Sequence, residues 1–85
     1  MVVLTSRRAV LVGAEARPGR LRLSERSLRF EPLEGDGLAI PLADVRRVAL
    51  RRRVLVVEHA GGEVRLRCFG VRGVAGLLVQ ACARR

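Results

Sequence analysis

Glu63-Val64-Arg65-Leu66-Arg67-Cys68-Phe69-Gly70-Val71-Arg72-Gly73-Val74-Ala75-Gly76-Leu77-Leu78-Val79-Gln80-Ala81-Cys82 contains two different spacings. Up to Cys68 the apolar residues alternate with charged ones. Val64, Leu66 and Cys68 fall on one side, and Glu63, Arg65 and Arg67 on the other, the period-two pattern of a half-buried strand. Beyond Gly70 the interval lengthens. Val74, Leu77, Leu78 and Ala81 stand at i, i+3, i+4 and i+7, which is one face of a helix. Gly73 and Gly76 each weaken such a helix by about 1 kcal/mol relative to alanine, so it needs a surface to lie on. A strand that runs directly into a one-faced helix predicts a sheet capped by the chain's own C-terminal segment.

Upstream the chain reads as further short strands. A first apolar run covers roughly residues 8–15. Arg17-Pro18-Gly19-Arg20 suits a type II turn, because proline presets φ and glycine accepts a positive one. Leu21-Arg22-Leu23 and Leu28-Arg29-Phe30 both alternate and are separated by the polar step Ser24-Glu25-Arg26-Ser27, which predicts a hairpin. Glu34-Gly35-Asp36-Gly37 is a turn. Leu38 to Leu42 is a fourth strand, whose Pro41 lacks an N–H and belongs at an edge or an end. Val45 to Leu50 is a fifth, with Val48 and Leu50 on one face, and Arg51-Arg52-Arg53 breaks it. Val54-Leu55-Val56-Val57 is continuously apolar and predicts a central strand covered on both sides. Gly61-Gly62 makes the last hairpin turn. Seven antiparallel strands over about residues 8–69 and a helix over about 71–83 fit a small barrel or two packed sheets, with Phe30 and Phe69 helping to fill the core.

At 85 residues the chain has room for one domain, and the expectation is a single unit spanning 1–85. Its apolar fraction of 49% is that of a globular chain rather than an unfolded arm. No apolar run approaches the roughly 18 residues of a membrane span. Met1-Val2-Val3-Leu4 passes at once into Thr5-Ser6-Arg7-Arg8, which is no signal-peptide core. The expected location is therefore the cytoplasm, with Cys68 and Cys82 as reduced thiols. The net charge is +9, and all seventeen basic residues are arginine. Codon bias toward GC produces that pattern, and so does selection for a polyanionic partner, to which clustered guanidiniums bind in bidentate fashion.

Nothing in the chain predicts catalysis, a metal or a cofactor. One histidine, His59, and two cysteines 14 positions apart offer no nucleophile–base arrangement and no zinc spacing. The carboxylates are scattered, Gly35-x-Gly37 reads as a turn rather than a phosphate loop, and no small-molecule substrate is expected.

Gly19-x-Leu21-x-Leu23-Ser24, then Leu28-x-Phe30, then Ile40-Pro41-Leu42-x-Asp44-Val45-x-x-Val48 resembles the pattern of GRAM and bacterial pleckstrin-homology-like domains. Leu55-Val56-Val57, the glycine turn, the alternating strand and the terminal helix are similar too, although Ser24 stands where threonine is commoner. The resemblance implies a mainly β fold, a seven-stranded antiparallel barrel of two near-orthogonal sheets with a capping helix. It also implies a non-catalytic interaction module for protein partners, for self-assembly or for lipid.

Two arginine groups are candidate anion sites. Arg17, Arg20 and Arg22 are similar to the basic residues of the first hairpin that bind lipid headgroups in that family. Glu34, Asp36 and Glu63 would share their end of the barrel and oppose a polyanion. Arg51, Arg52 and Arg53 form a denser run, which the resemblance places near Arg26 at the opposite end. One basic and one acidic pole would also permit head-to-tail association of copies. The expected partner is a protein or a second copy, with contact to an anionic membrane surface or nonspecific nucleic-acid binding as alternatives. Against nucleic acid stands the shortage of aromatic rings on which bases stack: Tyr and Trp are absent, Phe30 falls on the inward alternation with Leu28, and Phe69 is the one ring that could be exposed.

Overall fold

The structure, a computed structural model, describes residues 3–13 and 15–84. Its elements are β1 Val3–Val12, β2 Arg17–Ser24, β3 Ser27–Pro32, β4 Leu38–Pro41, a 3-10 turn at Leu42–Asp44, β5 Val45–Arg51, β6 Val54–His59, β7 Gly62–Cys68 and α1 Val71–Ala83. The seven strands are antiparallel and form one sheet in the order β4-β3-β2-β1-β7-β6-β5. This is the expected mainly β fold, with one difference. The two expected sheets are continuous, because β1 pairs with β2 from Val3 to Leu11 and with β7 from Ala9 to Val12. Ten residues are long enough to serve two neighbours.

The period-two reading places the core correctly. Leu21, Leu23, Leu28, Phe30, Ile40, Leu55, Val57 and Leu66 are buried on the inner face. Alpha1 lays Val71, Val74, Leu78 and Ala81 onto β5, β6 and the 3-10 turn, covering the side of the sheet left open between its two edge strands. Pro41 ends β4, an edge strand, where its missing N–H removes no internal bond. The step from β2 to β3 is closed by Ser24, whose buried Oγ accepts the backbone N–H of Ser27 at 3.1 Å and of Arg26 at 3.3 Å. At the other end of the helix Arg84 is the C-cap, and Arg85 lies outside the described residues.

Four sequence readings need correction. The first strand begins at Val3 rather than near residue 8, since Thr5 and Arg7 join the ladder opposite Leu23 and Leu21 without contributing an apolar alternation. The first hairpin turn lies between Val12 and Arg17. Pro18 and Gly19 sit inside β2, opposite Val10 and Ala9, and Gly19 has no positive φ. Glycine is needed there for space, because β3 crosses so closely that a Cβ would meet the carbonyl oxygen of Glu31 and come within 2.7 Å of the Cα of Pro32. Beta6 is next to the edge rather than central, so Leu55 and Val57 are buried while Val54 and Val56 are only half-buried. Phe69 contributes nothing to the core, being 87% exposed.

The close crossing at Gly19 gives a direct test. Gly19→Ala should destabilise the fold by about 2 kcal/mol through forced displacement of β3. Gly76→Ala, in open space on the helix, should stabilise it by about 1 kcal/mol. Urea titration of both variants measures the two opposite shifts.

Candidate functional site

The outer face of the sheet is built from the residues that alternate with the core. Its composition follows from register. Arg8 stands opposite Arg20, which stands opposite Glu31. One two-residue step along the strands, Val10 stands opposite Pro18 on one side and Arg67 on the other. Leu33 is tied alongside by its N–H bond to the Pro18 carbonyl oxygen at 3.1 Å. A row of Arg8 and Arg20 that ends in Glu31 therefore runs beside an apolar row of Val10, Pro18 and Leu33 that ends in Arg67. The two rows line an open groove of ≈ 1260 Å³, which the Arg52-Arg53 turn and Phe69 border at the β7 side.

Six arginines, Arg8, Arg20, Arg22, Arg52, Arg53 and Arg67, line this groove against a single carboxylate, Glu31. Arg22 reaches Glu31 at 3.8 Å, and the only other ion pair among the described residues is Arg65–Glu63, elsewhere on the surface. Five guanidiniums thus face the groove without an acidic partner. Arg20 donates to the Ser6 hydroxyl at 3.0 Å, a neutral partner. Like charges directly opposite one another on a sheet destabilise it, and Arg8–Arg20 is one of three such pairings in the ladders of the described residues, with Arg22–Arg29 and Glu58–Glu63.

The turn from β5 to β6 carries a cost of its own. Arg51 pairs with Val54, leaving Arg52 and Arg53 as a two-residue loop with φ of 49° and 66°. This is the mirror-image hairpin turn that ordinarily takes Asn-Gly, because both positions require positive φ. Side chains with a Cβ resist that region, and strain of this kind gathers at functional positions.

The structure regroups the arginines singled out in the sequence. Arg52 and Arg53 from one candidate set meet Arg20 and Arg22 from the other in the same groove. Arg51 points away, into a small outer depression shared with Glu58 and Glu63. Arg26 does not neighbour the triplet. Its carbonyl oxygen accepts the N–H of Leu42, just before β5, whereas the triplet begins at the other end of that strand, roughly 20 Å away at about 3.3 Å per residue. Arg17 is separate as well, in a mouth between hairpin turns lined by Glu15, Glu63 and Arg65. Arg8, Arg67 and Leu33 were not among the sequence candidates, and Phe69 entered only as the one ring that could be exposed. Strand alternation marks Arg67 as outward, but only the β1–β7 pairing brings it to Arg8.

Of the titratable nucleophiles, His59 sits apart from the groove and Cys68 lines it between Arg67 and Phe69. His59 Nδ1 accepts the N–H of Gly61 at 3.1 Å and so braces its own turn. Burial pushes the Cys68 thiol above its ordinary pKa, and nearby Arg7 pulls it back part of the way. Among the described residues no three His, Cys, Asp or Glu side chains gather as a metal ion requires. No described helix is long and apolar enough to cross a membrane.

Comparison with known proteins gives the fold a name. No protein-family model matches the chain, and no curated protein matches it. Among solved structures it is similar to the C-terminal domain of an unknown protein from Leishmania infantum, with a TM-score of 0.88, 13% identity, and coverage of 96% of this chain and 84% of that one. It is also similar to the N-terminal PH domain of human ARAP2, with a TM-score of 0.80, 12% identity, and coverage of 92% and 77%. The fold is that of a pleckstrin-homology domain.

Two measurements check the local chemistry. Arg52→Asn combined with Arg53→Gly should raise stability by about 1 kcal/mol by relieving the left-handed turn, read as a higher melting temperature. Cys68 should react with iodoacetamide at neutral pH more slowly than a free model thiol, since its thiolate is disfavoured; equal rates would contradict the upward shift of its pKa.

Proposed function

We propose that the chain is a non-catalytic interaction module that docks an acidic partner protein on the arginine-lined groove. The supporting observation is the set of five guanidiniums held together without carboxylate partners. The left-handed backbone of Arg52 and Arg53 within that set supports the same reading, since strain of this kind gathers at functional positions. The pleckstrin-homology fold agrees with a binding role, and the finer likeness to the GRAM and bacterial branch, with a cytoplasmic setting, belongs to the same reading. Arg52 and Arg53 are the residues on which docking rests, with Arg8, Arg20 and Arg67 as its continuation. Arg51 and Arg26 stand outside it.

A second reading is supported by one observation of its own. Phe69, exposed beside the arginines, is a surface on which a base stacks, which favours nonspecific single-stranded nucleic acid. Headgroup binding by Arg17, Arg20 and Arg22 has less support, because Arg17 is surrounded by Glu15 and Glu63 and lies apart from the other two.

The test is a binding panel of polyglutamate, single-stranded RNA, duplex DNA and anionic liposomes at low and physiological salt. Polyglutamate should bind with an affinity that falls as salt rises, and Arg52→Ser with Arg53→Ser should weaken it about tenfold while the melting temperature holds. Retention of RNA alone at physiological salt would select the second reading. Light scattering that reports dimers or larger species at low salt would identify the acidic partner as a second copy. Polyglutamate binding that ignores the double substitution would remove the groove from consideration.

A further inference from the structure

The groove is two-sided, and its apolar half is not explained by charge. Val10, Pro18 and Leu33 form a row beside Arg8 and Arg20, one two-residue step away, roughly 7 Å. Leu33 is 80% exposed, so a large aliphatic side chain stands in solvent in the same groove as guanidiniums that have no acidic partner. A phosphodiester backbone carries no aliphatic side chains to cover that row. A peptide does. In an extended segment successive side chains leave on opposite sides of the backbone. When such a segment lies along the boundary between the two rows, one set of side chains meets the arginines and the other set meets the apolar residues.

We infer that the groove takes a short extended peptide in which acidic and apolar residues alternate. Its carboxylates pair with Arg8, Arg20 and the Arg52-Arg53 turn, and its apolar side chains cover Val10, Pro18 and Leu33. Length is consistent with this. From Leu33 across β2, β1 and β7 to the turn is about four strand spacings, roughly 19 Å, which about six extended residues cover. Charge complementarity sets the peptide's acidity, and the apolar row sets its alternation. The inference rests on the docking function proposed above and adds to it the chemistry of the partner segment.

The experiment measures fluorescence anisotropy with three labelled probes: four Glu-Leu repeats, an octaglutamate and a ten-nucleotide oligouridine. The proteins are the full chain, Leu33→Ser, and the double variant Arg52→Ser with Arg53→Ser. Leu33 is exposed, so its replacement leaves the core untouched, and a thermal melt confirms folding. The Glu-Leu probe should bind about tenfold more tightly than octaglutamate. Leu33→Ser should remove most of that advantage and leave octaglutamate unchanged, while the double arginine variant weakens both peptides alike. Equal binding of the two peptides, lost together in the arginine variant, would overturn the alternating segment and leave the acidic docking function standing. Binding of both peptides that is indifferent to the arginines would overturn both. Oligouridine held more tightly than either peptide would overturn the peptide in favour of nucleic acid.

Discussion

Beta1 serves two neighbours at once, and the rest of the molecule follows from that. By pairing with β2 along most of its length and with β7 at its C-terminal part, it joins what would otherwise be two separate sheets. Without this shared strand Arg8 and Arg20 would have no common groove with Arg67 and the Arg52-Arg53 turn. The buried face gains from the same arrangement. Ala9 is buried with Leu21 and Leu66 in the core, and α1 covers the opening between the two edge strands.

The local signals in the sequence were sufficient wherever a single element decides its own geometry. The lengthening of apolar spacing after Gly70 matches α1, and Ser24 to Ser27 closes the β2–β3 step with side-chain hydrogen bonds that need no distant partner. Reading failed where geometry depends on a neighbour far along the chain. Pro18-Gly19 has turn chemistry, yet its glycine answers a steric demand from β3. Thr5, Ser6, Arg7 and Arg8 have no apolar alternation, and only the ladder with β2 makes them a strand.

The site was legible by residue type and not by grouping. Arginine density marked Arg52 and Arg53, and the first hairpin marked Arg20 and Arg22, but as rival sets at opposite ends. Their union depends on pairing between Ala9 and Cys68, a contact no local pattern encodes. Leu33 was hidden for a different reason, and Phe69 stood out only as the one ring that could be exposed. A lone exposed apolar residue is ordinary, and these two acquire meaning only from the charged surface between them.

The seam between β4 and β5 has no ladder of its own. Those strands are the two ends of the sheet, and what spans them is the 3-10 turn and the packing of α1 on β5, β6 and that turn. Apolar contact is non-directional, whereas a ladder fixes register residue by residue. The barrel is thus stitched by ladders around most of its circumference and closed along one line by α1 and by two backbone bonds of the 3-10 turn, from Leu42 N–H to the Arg26 carbonyl oxygen and from Ala60 N–H to the Asp44 carbonyl oxygen. Amide hydrogens beside that line are the first to meet solvent when the molecule breathes. The groove, on the stitched wall with β1 in its floor, keeps its shape while the opposite side loosens.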